Sequence, residues 1–265
     1  MDAATGRPLA VVTGASSGIG YELARQFAEH GFDLVIAAED AGIEDAADAL
    51  RRDAGTRVTP VRVDLTTAAG VERLHAAVDR PVDALALNAG RGAGGAFVGD
   101  TALADELAIV DLNVRSTVHL AKLLLPDMVA RGAGRVLFSS SIASAMPGSF
   151  QAVYNASKSF VQSFAEALRN ELKDTGVTVT SLMPGPTDTE FFDRAGMTDT
   201  KLATGRRDDP AEVAAQGFAA LMKGEDHVVA GAFVNKVQAV AAKVLPDATK
   251  AELHRRLAEP GSGDT

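Results

Sequence analysis

The sequence predicts a doubly wound α/β fold, a parallel sheet of about seven strands with helices on both faces. Three observations carry this. Short apolar runs alternate with longer helical segments along the chain. Runs that are apolar throughout belong to strands buried on both faces, which is the signature of a parallel sheet covered by helices. The first such run passes directly into a glycine-rich turn and then a helical segment.

Taken in order, residues 9–13 ("LAVVT") form the first strand and 18–30 the first helix. Strands follow at 33–37, 58–63, 83–87, 135–139 and 177–183, with a seventh at 227–230. The helices between them fall at 43–54, 68–78, 103–130, 151–174 and 210–223. In the segment 151–174, Val153, Phe160, Val161, Phe164, Leu168 and Leu172 recur at three- and four-residue steps and make one apolar face. Residues 184–209 have no clear period, and a loop of that length is usually functional or mobile. Residues 233–257 read as one or two short helices, and "AEPGSGDT" has the composition of a disordered tail. No linker splits the chain, so residues 1–232 are expected to form one domain, 233–258 a helical extension of it, and 259–265 a disordered tail.

The 265 residues are 46% hydrophobic, enough for a sizeable core. A formal net charge of −9 argues against nucleic-acid binding, and there is no polybasic tract for a membrane surface. With no cysteine, disulfides and thiol catalysis are excluded. The five histidines are scattered without metal-ligand spacing and are expected to be structural, with no metal bound. The first apolar run is too short for a signal-peptide core, and no stretch of about 18 apolar residues would insert in a membrane. A cytoplasmic location is the expectation.

Gly14, Gly18 and Gly20 give the turn a G-x-x-x-G-x-G spacing. A helix N-terminus carries unpaired N–H groups and a partial positive charge, so it suits a pyrophosphate. Glycine permits the tight turn and close approach of the ligand, and Ser16 and Ser17 can add hydroxyls. Farther along, Tyr154 and Lys158 stand outside the apolar face of their helix. Four residues apart, they stack one turn above the other. A phenol of pKa about 10 is a poor base at neutral pH, and a nearby cation lowers that value. The pair therefore suits proton exchange with an alkoxide.

These motifs together resemble the short-chain dehydrogenase/reductase superfamily. They are "TGASSGIG" (13–20), "NAG" (88–90), Asn113 in "LNVRS", Ser139 to Ser141, "YNASK" (154–158) and "PGPTDT" (184–189), in that family's order over roughly residues 8–230. The resemblance implies a Rossmann-like domain, a nicotinamide cofactor and hydride transfer between it and an alcohol or ketone. It implies a catalytic tetrad of Asn113, Ser141, Tyr154 and Lys158. Ser141 is the serine thirteen residues before the tyrosine, with Ser140 as the fallback. Asn113 would help hold a water that links the lysine to solvent, and Lys158 would also hold the nicotinamide ribose. The implied cofactor contacts are Gly14, Ser16, Ser17, Gly18, Ile19 and Gly20 in the turn. Asp64 and Leu65, then Asn88, Ala89 and Gly90, continue them, and Pro184, Gly185, Thr187 and Thr189 complete them beside Tyr154 and Lys158. The resemblance also implies a homotetramer or homodimer built on helices 103–130 and 151–174.

Strand two ends in Glu39 and Asp40, where many NADP-preferring relatives carry arginines. A carboxylate accepts a hydrogen bond from a 2′-hydroxyl and repels a 2′-phosphate, so NAD is expected, with NADP the alternative. The substrate pocket is expected from segments 92–98, 143–150 and 184–200. Phe97, Met146, Phe150, Phe191, Phe192 and Met197 suggest a small-molecule substrate that is an apolar alcohol or ketone, such as a lipophilic ketone, an acyl-thioester ketone or a steroid-like alcohol. Two other readings compete. One is a catalytically silent dinucleotide-binding regulatory or scaffold protein. The other is a nucleotide-sugar epimerase, whose glycine spacing differs.

Overall fold

Seven parallel strands form one sheet in the order β3-β2-β1-β4-β5-β6-β7 in a computed structural model that describes residues 6–232, 235 and 245–264. The first half runs β1 (Leu9–Thr13), α1 (Gly18–Glu29), β2 (Asp33–Ala38), α2 (Gly42–Ala54), β3 (Val58–Arg62), α3 (Ala68–Ala76) and β4 (Ala84–Leu87). The second half runs α4 (Leu103–Ile109), α5 (Thr117–Arg131), β5 (Gly134–Ser139), α6 (Ala152–Glu171) and β6 (Val177–Pro184). Then come α7 (Phe191–Arg194), α8 (Lys201–Thr204), α9 (Pro210–Lys223), β7 (His227–Ala230) and α10 (Asp247–Ala258).

Every residue of β1, β2 and β4 is buried, as their unbroken apolar runs require. One face is sealed by α1, α2 and α9, where Phe27 meets Phe32 and Phe218 edge-on, each at 5.2 Å. The other is sealed by α3, α5 and α6 through Leu74, Leu124, Met128, Val161 and Ala165. Each buried Leu, Met, Val or Phe among them contributes about 1.5–3 kcal/mol, so the two layers hold the sheet independently of any ligand. Pro60 sits in β3, which pairs only with β2, so its missing N–H breaks no ladder. The strand order reverses between β1 and β4, and the crevice at their carboxyl ends is where ligands of such sheets bind.

The single helix expected at 103–130 is divided. Between α4 and α5 the chain winds as a π-helix over Val110–Ser116. Ser116 and Thr117 donate their hydroxyls to the carbonyls of Leu112 and Asn113, the latter at 2.9 Å, which supports the wider winding. The segment 184–209 contains α7 and α8, and its Phe192, Ala195, Met197 and Ala203 form a small third core with Ala258 of α10. Of the helices expected over 233–257, α10 is described, while 233–234 and 236–244 lie outside the described residues. The N–H groups of Gly261 and Gly263 donate to the carboxylate and carbonyl of Asp199, at 2.7 and 2.8 Å. Among the described residues no helix is long and apolar enough to cross a membrane.

Candidate active site

One cleft of about 1210 Å³ opens along the carboxyl edge of the sheet. It gathers every expected catalytic and cofactor-contact residue except Asn113. At its β1 end the glycine turn is packed too tightly for any side chain. A Cβ on Gly20 would lie 1.9 Å from the Gly14 carbonyl oxygen, and one on Gly14 2.9 Å from the Ala89 Cα. Gly18 has φ +56°, and a Cβ there would meet the Thr189 side chain at 2.9 Å. Ser17, the N-cap of α1, makes no side-chain capping bond, which leaves the first N–H groups of the helix turned to the cleft.

Several of the residues expected at the cofactor also make internal hydrogen bonds. Asn88 donates its Nδ2 to the Thr13 carbonyl at 3.2 Å and accepts the Ser139 hydroxyl at 2.9 Å. The Thr13 hydroxyl accepts the N–H groups of Asn88 and Ala89, both at 3.0 Å. Thr13 therefore knits β1 to β4, a role the motif contained but the reading did not single out. Thr187 donates to the Gly185 carbonyl at 2.9 Å, and Thr189 accepts the Phe191 N–H at 3.3 Å. Asp64 accepts the Thr66 N–H at 2.9 Å at the rim, while Leu65 beside it is buried. Asp40 does not sit free beside Glu39 as expected. Its carboxylate accepts the Ser16 hydroxyl at 2.7 Å and the Gly42 N–H at 3.0 Å, because α2 begins there and leaves a donor to be satisfied. Glu39 remains exposed at the end of β2, facing the cleft. Arg51 is held by the Val58 carbonyl at 3.0 Å and Arg62 by the Glu39 carbonyl at 3.1 Å.

The three serines at the end of β5 separate cleanly. Ser139 serves Asn88, and Ser140 donates to the Lys158 carbonyl at 3.2 Å. Ser141 caps a short turn by accepting the Ala143 N–H at 3.1 Å, donates its hydroxyl to the Pro184 carbonyl at 3.4 Å, and lies within reach of the Tyr154 phenol. Ser141, not Ser140, is thus the serine beside the tyrosine. Desolvation pushes the phenol up to about 12, against which the Ser141 hydrogen bond pulls down. The lowering expected from Lys158 is not found. Lys158 turns its Nζ onto the Ser139 carbonyl at 2.8 Å, 5.8 Å from the Tyr154 ring centre, and burial lowers its own pKa to about 8. Asn113 stands behind the cleft floor. Its amide accepts the Arg91 N–H and donates to the Arg91 carbonyl, both at 2.9 Å, and donates to Ser157 at 2.9 Å.

Of the six apolar residues expected in the pocket, Met146, Phe191 and Phe192 line the cleft, with Phe191 5.1 Å from the Tyr154 ring. Met197 is buried in the third core and Phe150 packs under Arg255. Phe97 lies on the outer surface, 56% exposed, in a groove with Val110 and Phe160. The sequence reading missed the part of the wall formed by α8, the turn after it and α10, which brings Lys201, Arg206, Lys250 and His254 to the cleft. The His254 Nδ1–H donates to the Ser149 carbonyl at 2.9 Å, and burial holds the ring below the ordinary histidine pKa. The period of α10 marks it as a helix, but nothing in one sequence says which face meets the cleft.

A dinucleotide-type glycine turn at one end of the cleft and a phenol–serine pair at the other define an α/β oxidoreductase. The family model described as short chain dehydrogenase matches residues 8–200, and the chain belongs to the short-chain dehydrogenase/reductase family. The chain is 34% identical over 187 residues to sulfoacetaldehyde reductase 2 of Chromohalobacter salexigens, covering 69% of this chain and 74% of that one. Two solved structures are similar. One is a short-chain dehydrogenase/reductase of Burkholderia phymatum in complex with NAD, with TM-score 0.80, 25% identity and coverage of 90% and 92%. The other is a short-chain dehydrogenase of Sphingobium yanoikuyae in complex with NADPH, with TM-score 0.78, 29% identity and coverage of 84% and 87%.

Proposed function

We propose that this oxidoreductase interconverts an alcohol and a ketone or aldehyde with NAD(P), and that Tyr154 transfers the proton. The residues present fit the cofactor: the turn has no room for a Cβ at Gly20, and an uncapped helix end faces the cleft. Gly14 to Gly20 would hold its pyrophosphate, Glu39 and Asp64 to Leu65 its adenosine, and Lys158 its nicotinamide ribose. When bound, the nicotinamide supplies or accepts the hydride. In the reducing direction the Tyr154 hydroxyl gives its proton to the substrate oxygen as that oxygen gains negative charge. Ser141 donates a hydrogen bond to the same oxygen and fixes it. Asn113 positions rather than reacts: it holds the Arg91 backbone against Ser157, which in turn donates to the Tyr154 carbonyl at 2.7 Å.

The observation that carries this reading is that Ser141, Tyr154 and Lys158 line the same cleft that the glycine turn begins. A phenol raised to about 12 is protonated at neutral pH and ready to act as an acid. Carbonyl reduction should therefore run well near pH 7, and alcohol oxidation should accelerate as pH rises. The test is Tyr154→Phe, measured for turnover against a panel of ketones and for NAD(P)H binding by fluorescence. Turnover should fall by about 10²–10⁴-fold or more while binding holds, and an active variant would reject the assignment.

NAD is preferred in this reading because Glu39 faces the cleft with no side-chain partner among the described residues. The protein acts as a homodimer or homotetramer in the cytoplasm. What supports the assembly is the exposed apolar strip of Phe97, Leu103, Leu107, Val110 and Phe160 beside α4 and α6. Light scattering at micromolar concentration checks it, and a monomer would refute it.

A further inference from the structure

The cleft is sorted by charge. Three acids, Glu39, Asp40 and Asp64, line it at the ends of β2 and β3. At the opposite wall, on and around α7, α8 and α10, five cations line it: Arg194, Lys201, Arg206, Lys250 and Arg256. In a chain of net charge −9 such a concentration runs against the average of the surface. Three of the five are matched, Arg194 by Glu190 at 2.5 Å, Lys250 by Asp247 at 2.6 Å and Arg256 by Glu252 at 3.1 Å. Lys201 and Arg206 have no side-chain partner among the described residues.

The other acids nearby are engaged elsewhere. Asp188 pairs with Arg207 at 3.2 Å, and Asp199 accepts the Gly261 N–H. Asp208 is held by Asn235 at 2.6 Å, and Asp209 caps α9 through the Ala211 N–H at 2.8 Å. Asp193 is exposed and does not line the cleft. Two cations are therefore left facing a cleft whose nearest apolar lining is Leu202, Leu253 and Leu257. Low-dielectric walls focus such a field onto whatever enters.

We propose that the substrate is an oxo or hydroxy compound bearing an anionic group, and that Lys201 and Arg206 hold that group. The inference rests on the oxidoreductase reading above and narrows its substrate class. The carbonyl meets Ser141 and Tyr154 while the anion docks at the α8 side. The apolar residues between them receive the connecting chain. Charge at this wall raises the local concentration of acids over neutral ketones and fixes which end enters last.

The test uses the full chain with its preferred reduced cofactor. The probes are 4-oxopentanoate and 7-oxooctanoate, each against its methyl ester, so that charge changes while the carbonyl does not. An oxo-sulfonate of the shorter length separates a strong-acid group from a carboxylate. The native protein should favour the acid by about 10-fold in kcat/KM, through KM, at one length or both. The preference should shrink in 0.5 M KCl, where screening is much shorter-ranged than in 0.02 M salt. Lys201→Ala with Arg206→Ala should abolish the preference with kcat for the ester and the melting temperature unchanged. Binding of the same probes is read separately by quenching of the bound cofactor's fluorescence. Acid binding over ester with no turnover keeps the anion site and rejects the oxidoreductase reading. Equal handling of acid and ester at both lengths overturns the inference. So does a preference that survives the double variant, or a double variant that weakens cofactor affinity, which would put the two cations on the cofactor's phosphates.

Discussion

At the β1–β4 end of the cleft, recognition is built from backbone. The N–H groups of α1 face the ligand space, and glycines remove every side chain that would intrude. At the α7–α8–α10 end it is built from side chains, with cations, leucines and a buried histidine projecting from short helices. A backbone cradle admits almost no substitution, because the clash at Gly14 and Gly20 is with main chain and Gly18 has a positive φ. A side-chain wall can be rewritten one residue at a time. On the proposed function, one end is kept for the dinucleotide and the other is free to set the substrate.

The sharpest way to break this comparison is Gly20→Ala. Its methyl would need the 1.9 Å gap to the Gly14 carbonyl and would also strike the Asn88 amide. Dinucleotide binding should vanish and stability fall by about 1–3 kcal/mol or more, seen by fluorescence titration and thermal melting. Undiminished binding would show that the turn opens easily and that the cradle is not rigid. Lys158→Met comes next. The proposed role predicts a loss of at least about 10²-fold in turnover.

Its stability should move the other way. Burial depresses the Lys158 pKa from 10.5 to about 8, so the folded state resists carrying the proton. That penalty is full below about pH 8 and fades as pH rises toward 10.5, where the unfolded chain also loses its proton. The variant should therefore melt higher than the native protein at pH 7, with the gap closing between pH 8 and 10. A variant that melts lower at pH 7 would mean the ammonium's bond to the Ser139 carbonyl outweighs its burial.

A smaller effect is expected from Glu39→Arg. Removing a charge that repels the 2′-phosphate and adding one that attracts it should shift relative affinity from NAD(H) toward NADP(H) by about 10-fold or more. Asp40 should be left alone, since Ser16 and Gly42 depend on it. A native protein that already prefers NADPH would show that Glu39 points away from the ribose. The smallest effect belongs to His254→Asn at the wall. The amide can keep a donor to the Ser149 carbonyl, so folding should hold and only substrate KM should move, by a few-fold. A collapse in melting temperature would instead make His254 a fastening of α10.

The unequal legibility of the two ends has the same cause. The turn, the strands and the Tyr154–Lys158 stack could be read because backbone demands leave fixed residue types at fixed spacing. Ser141 could be separated from Ser140 only partly by spacing; the structure does it by giving Ser139 and Ser140 other partners. Asp40 looked equivalent to Glu39 because adjacent residues on a loop carry no period that tells inward from outward. Lys201, Arg206 and His254 were invisible for a further reason. They reach the cleft only through tertiary docking, as when Lys250 donates to the Ala145 carbonyl at 3.3 Å and Ser149 to that of Ala251 at 3.2 Å. The π-helix at Asn113 likewise depends on hydroxyls bonding back to carbonyls, a local competition that an apolar pattern does not display.

One face of α6 presents Tyr154 and Lys158 to the cleft, while Val153, Ala156 and Phe160 of the same helix line the outer apolar groove. Ser157 borders that groove and is also the link from Asn113 to the Tyr154 carbonyl. Whatever presses on the groove therefore presses on the rod that carries the phenol. If a second copy covers it, the enzyme's rate per molecule becomes a function of how much protein is in the tube. Specific activity should then fall on dilution through the association range and return when a concentrated stock is remade.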